Sequence, residues 1–199
     1  MRIGLAVIVG AEVDLIDKFI SDNDIFNNFV EVKFLCDNST DGTIEKLRKY
    51  EETGLCEVYE RDLNLNFSKQ RNFLNDLMES EYILRLDIDE IMSDDLIDWV
   101  KHFDLSEDED LYIVTRHEKV EGKTIKYFPI QFVYKKSPVI KWKNDLHETL
   151  KGYTSSKNIN SRCLLIHDKS ESRCSKQNRY YYDNYTTQRE IVDGGKEWT

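Results

Sequence analysis

The first half of the chain alternates between short apolar runs and amphipathic stretches. Residues 3–10, "IGLAVIVG", form a continuous apolar run of the kind a strand covered on both faces requires. Behind it Val13, Ile16, Phe19 and Ile20 recur at helical spacing. The pattern then repeats. "VEVKFLCD" reads as a strand and "TIEKLRKYEETG" as a helix stopped by Gly54. "CEVYE" is a strand, and "SKQRNFLNDLMES" a helix capped by Ser68 that buries Phe73, Leu74, Leu77 and Met78. "YILRLDID" is a strand and "DDLIDWVKHF" a helix that Ser93 opens. Strands and helices alternating through short links predict an α/β fold with a mostly parallel, doubly wound sheet and right-handed crossovers.

The second half changes character. "LYIVTRHEKV", "IKYFPIQFVYKK" and "VIKWKN" read as strands with polar punctuation, so the sheet gains mixed strands there. "KQNRYYYDNYTTQREIV" has helical length, and "DGGKEWT" is a polar tail. The expected organisation is a single domain over residues 1–192, with a nucleotide-binding half at 1–104, a second half at 105–192 and the tail at 193–199.

Composition narrows the function. A formal charge of −10 argues against nucleic acid and anionic lipid as partners, because phosphate binding needs a basic field. The four cysteines show no C-x-x-C pair and no zinc spacing, so free thiols and a cytoplasmic setting are expected. The opening apolar run is too short for a membrane span, and Glu12 and Asp14 follow where a signal-peptide cleavage site would lie.

Ligands of doubly wound sheets bind beyond the carboxyl ends of the strands. Three polar segments fall there: "CDNSTDGT", "ERDLNLNFSKQR" and "DIDE". On the first, Asp41-Gly42 and Thr43 suit a turn and a helix cap, whereas Asp37 suits a base or ribose. On the last, Asp87 and Asp89 sit two apart, so on an extended strand both point the same way and invite a hard divalent cation. Ser93-Asp94-Asp95 is explained more simply as a helix cap and acidic first turn.

Together, "VKFLCDNSTDGTIEKL", "NFSKQRNFLND" and "YILRLDIDEIMSDDL" resemble the family-2 glycosyltransferases of GT-A fold. So do Leu146-His147-Glu148, "LLIHDKS" and "KQNRYY", which match the lipopolysaccharide-type branch. The likeness covers roughly residues 3–182. Departures are a compressed Asp37–Thr43 motif, Glu12 alone in place of an Asn-Glu pair, and no Q-x-x-R-W motif of processive synthases. The compact length also resembles the minimal GT-A domains of large algal viruses, some cut from longer multidomain chains; a viral origin implies the host cytoplasm.

The resemblance implies transfer of a sugar from a nucleoside diphosphate sugar, UDP by family habit, to a hydroxyl of a glycan acceptor with inversion. Mn²⁺ or Mg²⁺ would meet the leaving diphosphate. Asp89 is the expected direct ligand, Asp87 binds the metal through water or bonds the ribose, and His167 completes the metal site. Val9, Asp37, Asn38, Asp41, Lys69, Arg71, Asp87 and Ile88 form the expected donor site, with Gln70 supporting Arg71 at phosphate. Glu148 is the expected base, Asp145 its substitute, and His147 holds the carboxylate or the acceptor. Glu90 is a candidate to orient the donor sugar; Trp142 is a candidate to stack on a sugar, although a tryptophan on a strand usually lies in the core.

Competing readings are weaker. A nucleotidyltransferase should open with a G-x-x-T-R loop that "VGAEVDLID" lacks, and a glycoside hydrolase has no need of the nucleotide loop. A catalytically inactive sugar-nucleotide or carbohydrate-binding module is the main alternative, disfavoured by Asp87, Asp89 and Glu148.

Overall fold

A computed structural model describes residues 3–104 and 108–186. The sheet runs in the order β3 (Glu57–Glu60), β2 (Val32–Cys36), β1 (Ile3–Val9), β4 (Tyr82–Arg85), β7 (Lys123–Lys135), β6 (Leu111–Val120), β11 (Leu164–Lys169), β5 (Glu90–Met92). Strands β1, β2, β3 and β4 are parallel, as the alternation requires. β7 then enters antiparallel to β4, and β6 antiparallel to β7. β11 runs parallel to β6 and carries the short β5 on its outer edge, while β10 (Ser156–Asn158) pairs with the start of β6.

Two cores sandwich this sheet. One face packs α1 (Ile16–Asp22), α2 (Ile25–Asn28), α3 (Thr43–Glu51) and α5 (Asp94–Lys101) through Ile16, Phe19, Ile25, Leu47, Leu96 and Val100. The other packs α4 (Phe67–Leu77) and a separate hairpin, β8 (Lys141–Lys143) with β9 (Thr149–Lys151), through Leu74, Met78, Trp142 and Leu150. α6 (Glu171–Tyr181) follows β11 and continues as a π-helical turn over Tyr182–Thr186. The halves divided at residue 104 are interlocked, since β4 and β5 of the first pair with β7 and β11 of the second.

Several expectations are corrected. The cap of α4 is Asn66, whose side chain accepts from the Lys69 amide; Ser68 lies inside the helix and donates to Asn66. Thr43 does not cap α3 but is its first residue: Gly42 holds the cap position, and the Asp41 carboxylate before it accepts the Thr43 N–H at 3.0 Å. "VIKWKN" leaves the main sheet to form β8. α6 starts earlier than "KQNRYY", because Ser170 accepts from the Arg173 amide. Residues 187–192 and the 193–199 tail lie outside the described residues. Among the described residues, the four cysteines are free and no helix is long and apolar enough to cross a membrane.

Candidate functional site

The polar segments that follow β2, β3 and β4 do meet: Asn38 bonds Asp62, the Leu63 amide donates to Asp37, and Arg71 donates to Asp87. Asp87 and Asp89 sit in a tight turn rather than on a strand: the Glu90 N–H donates to the Asp87 carbonyl at 3.0 Å, and Ile88 turns into the core. A turn sends the two carboxylates to different partners.

Asp87 accepts from Arg71 at 3.0 Å and Arg85 at 2.7 Å. Burial alone would raise its pKa, but the Arg85 and Arg71 guanidinium groups drive it far below the usual carboxylate range. Arg71 also grips Glu148 at 2.5 Å and lies over the Trp142 ring, 5.2 Å from its centroid. Burial again opposes ionisation of Glu148, and the Arg71 charge outweighs it and lowers the pKa. Behind them Glu90 is 0% exposed and held by Arg85 at 3.3 Å and Arg116 at 2.9 Å. It is therefore a pillar of the turn and cannot reach a donor sugar. Trp142, 3% exposed, is core and closed to stacking on sugar.

One Asp89 oxygen meets three cations: His167 at 3.0 Å, Lys169 at 3.4 Å and Arg173 at 3.4 Å. His167 bonds Glu118 through its other nitrogen at 2.9 Å, and Arg173 also clasps Glu12. Burial would depress the His167 pKa; the Asp89 and Glu118 hydrogen bonds instead raise it to about 9, so the ring is an imidazolium at neutral pH. Burial raises and His167 and Lys169 lower the Asp89 pKa, which settles at about 2. A metal-ligating histidine needs a free lone pair. His167 offers none in this arrangement, and among the described residues no three His, Cys, Asp or Glu side chains are grouped to hold an ion. The set as arranged does not fit the expected Mn²⁺ or Mg²⁺.

On the nucleotide side, Asp37 uses one oxygen to accept from the Asn38 and Leu63 amides, at 2.9 and 3.0 Å. Asn38 bonds Asp62. Asp41 is occupied by Thr43 and by the Val13 amide at 3.1 Å, which ties the β1–α1 loop to α3; Gly42 between them takes φ 94°, a conformation natural to glycine. Val9 and Ile88 are sealed in the core, so neither side chain faces a ligand. Lys69 is exposed, while Gln70 is buried with its amide on the Arg61 carbonyl. Asp145 is anchored to the start of α4 through Asn66 and the Phe67 amide. His147 is exposed, in the left-handed region at φ 54°, with its ring 6.3 Å from that of Tyr181. A non-glycine residue there is uncommon, and histidine is among those that adopt it more readily.

α6 bridges the loops at this end of the sheet, with Arg173 on Glu12 and Asp89, Tyr181 on His147 and Tyr180 close enough to Asp37 that this charge, after burial, raises its phenol pKa. Sequence reasoning missed Arg85, Arg116, Glu118, Lys169 and Arg173. Arg85 had a signal, a cation inside the apolar run "YILRL", and so did Lys169, two residues from His167 on one strand. Arg173 had none.

The sequence matches the model of glycosyl transferase family 2 over residues 15–173. No curated protein sequence matches significantly. Among solved structures, Staphylococcus aureus TarS 1–349 in complex with UDP-GlcNAc superposes with a TM-score of 0.65 at 16% identity, covering 86% of this chain and 59% of that one. A mannosyltransferase, PcManGT from Pyrobaculum calidifontis with GDP-Man and Mn²⁺, gives 0.58 at 17% identity and coverage of 83% and 56%. GalNAc-T7 with UDP, GalNAc and Mn²⁺ gives 0.58 at 10% identity, covering 84% of this chain and 44% of that one. The chain thus spans less than two thirds of these relatives. The match over residues 15–173, on a sheet with these connections, settles the family: the chain belongs to glycosyl transferase family 2 and has the GT-A fold.

Proposed function

We propose that the protein is a cytoplasmic glycosyltransferase of glycan biosynthesis that moves a sugar from a nucleoside diphosphate sugar, preferably UDP-linked, to a glycan hydroxyl with inversion. One observation carries this: in a chain of charge −10, Arg71, His167, Lys169 and Arg173 gather at the carboxyl ends of the parallel strands, paired with Asp87, Glu148, Asp89, Glu118 and Glu12, carboxylates that a diphosphate would have to displace or share. A leaving diphosphate needs such a cluster. Asp37, below α6, supports a nucleoside beside it. Glu148 is the proposed base, ionised by Arg71 and 13% exposed. A carboxylate with a lowered pKa is a modest proton acceptor, so its role is to orient and relieve the attacking hydroxyl late in the transfer.

The test is a thermal-shift panel of UDP, GDP, dTDP and CDP, each with and without Mn²⁺, on wild type and Arg71→Met. A nucleotide at about a hundred times its Kd stabilises by about 2.7 kcal/mol, a shift of several degrees. One nucleotide should shift the wild type and fail on the variant. A shift without Mn²⁺ means the cation cluster suffices; a shift only with Mn²⁺ means Asp89 releases its partners to take the ion. No shift under any condition overturns the reading in favour of a carbohydrate-binding module.

A further inference from the structure

β6 and β7 pair as far as Val120 and Lys123, whereas β4 pairs with β7 only from Tyr82–Lys135 to Leu84–Val133. The β6–β7 ribbon therefore projects as a tongue beyond the carboxyl ends of the parallel strands, with β11 along one edge. Directly opposed residues share a face, so Ile113–Gln131, Thr115–Pro129 and His117–Tyr127 form one row. The Gln131 amide bonds both polar groups of the Leu150 backbone, at 3.2 and 2.7 Å, two residues from Glu148. That row therefore faces the side of the sheet holding His147 and Glu148. The alternate row, Arg116 and Glu118, faces Glu90 and His167.

Four residues along the strand from Gln131, about 13 Å at roughly 3.3 Å per residue, stands Tyr127. Its ring is 56% exposed yet fixed. It stacks on His117 with centroids 4.3 Å apart and planes 23° apart, and His117, 8% exposed, is fixed in turn by a 2.7 Å bond to the Thr124 hydroxyl. Burial first, then Lys119, lowers the His117 pKa, so the backing ring is neutral at pH 7. Ile125, 59% exposed, sits at the adjoining bulge.

The pair is a directly opposed cross-strand contact, which holds the exposed ring in place. A rigid ring with a hydroxyl edge offers large amphipathic contact at little entropic cost, which suits the C–H face of a pyranose. We infer that the Tyr127–His117 stack is an acceptor subsite that binds a sugar ring of an oligosaccharide, outward from the unit whose hydroxyl Glu148 receives. The inference rests on the glycosyltransferase reading and narrows it: the acceptor is a glycan chain rather than a monosaccharide.

Fluorescently labelled wild type, Tyr127→Phe and Tyr127→Ala are applied to a broad immobilised glycan array. The strongest glycan is then titrated by calorimetry, and each variant is also tested for a thermal shift with the preferred nucleotide. Wild type and Tyr127→Phe should bind the same oligosaccharides, and Tyr127→Ala at least tenfold more weakly, with the nucleotide shift equal in all three. Equal glycan affinity in Tyr127→Ala, or no glycan bound by the wild type, overturns the inference while an intact nucleotide shift leaves the donor reading standing. Loss of the nucleotide shift in the wild type removes the donor reading instead. Concentration-dependent dimers that Tyr127→Ala dissolves, without glycan binding, also overturn it, because the face then holds a second copy of the chain.

Discussion

Asp87 and Asp89 are two residues apart and live in different mechanical settings. Asp87 is the more open, with 34% of its side chain exposed, yet its cations are rooted in the core. Arg85 is also tied to Glu90 and the Gln131 carbonyl, and Arg71 to Glu148 and the Trp142 ring. Asp89 is 14% exposed, but its cations come from β11 and α6, and the outermost, Arg173, sits on a largely exposed helix. The charges at Asp87 are held in place by groups rooted in the core before any ligand arrives. Around Asp89, part of the charge can follow a ligand.

Activity gives the largest expected difference. Glu148→Gln removes the proposed base and should lower kcat by about 10²–10⁴-fold while leaving the thermal shift with nucleotide in place. Equal loss of nucleotide binding would mean Glu148 serves Arg71 rather than the acceptor. Next comes the pillar behind Asp87. Glu90→Gln keeps the volume but leaves Arg85 and Arg116 facing a neutral amide in a fully buried site. Urea unfolding should show a loss of about 3–5 kcal/mol. A loss below about 1 kcal/mol would show that the Asp87 end is not anchored as described.

The Asp89 end should instead reveal itself through pH. The folded-state pKa of His167 is raised to about 9 from an ordinary 6.5. Its contribution is thus complete below about pH 6.5 and declines as pH rises through about 9, by about 1.4 kcal/mol for each pH unit between those two values. Urea midpoints should fall between pH 6.5 and 9.5 in the wild type, and fall less in His167→Gln. Identical slopes would detach His167 from Asp89 and Glu118. The Asp89 pKa, held at about 2, works in the opposite sense: its contribution is present above about pH 4 and is lost only on strong acidification.

What could be read from sequence divides along the same line. The parallel half was legible because its strands and helices are local, periodic and separated by short links; β1 to β4 fall where the apolar runs predict them. Asp37, Arg71, Asp87, Asp89, Glu148 and His167 were singled out because motifs carry them; the fold joins Arg71 to Asp87 and Glu148, and Asp89 to His167. Their partnerships were not legible. Arg71 reaches Glu148 across 77 residues and Arg173 reaches Glu12 across 161, distances over which no periodicity carries information. Spacing alone also misjudged the two aspartates, since the rule that residues two apart share a face belongs to extended strands, and the Asp87–Glu90 hydrogen bond makes a turn. The partners of His167 were illegible for a related reason, because sequence could not show Asp89 and Glu118 placed on its two ring nitrogens.

The smallest expected effect on stability is at Arg173, and it tests the contrast most sharply. Its guanidinium is 31% exposed and pairs with Glu12 and Asp89, 22% and 14% exposed. Ion pairs this accessible contribute about 0–1 kcal/mol, so Arg173→Gln should unfold at nearly the wild-type urea concentration. Nucleotide binding should respond more. If Arg173 leaves Glu12 and Asp89 to meet diphosphate, the variant should lose about tenfold in affinity, the range of a charge-assisted hydrogen bond worth about 1.5 kcal/mol. If Arg173 only latches α6 to Glu12 and Asp89, the variant should bind nucleotide at least as tightly as the wild type, because no latch has to be broken. Calorimetric titration with the preferred nucleotide separates the two. Weaker binding with unchanged stability shows that Arg173 carries its charge to the ligand; equal or tighter binding makes α6 a closed cover and places the diphosphate on Arg71, His167 and Lys169 alone.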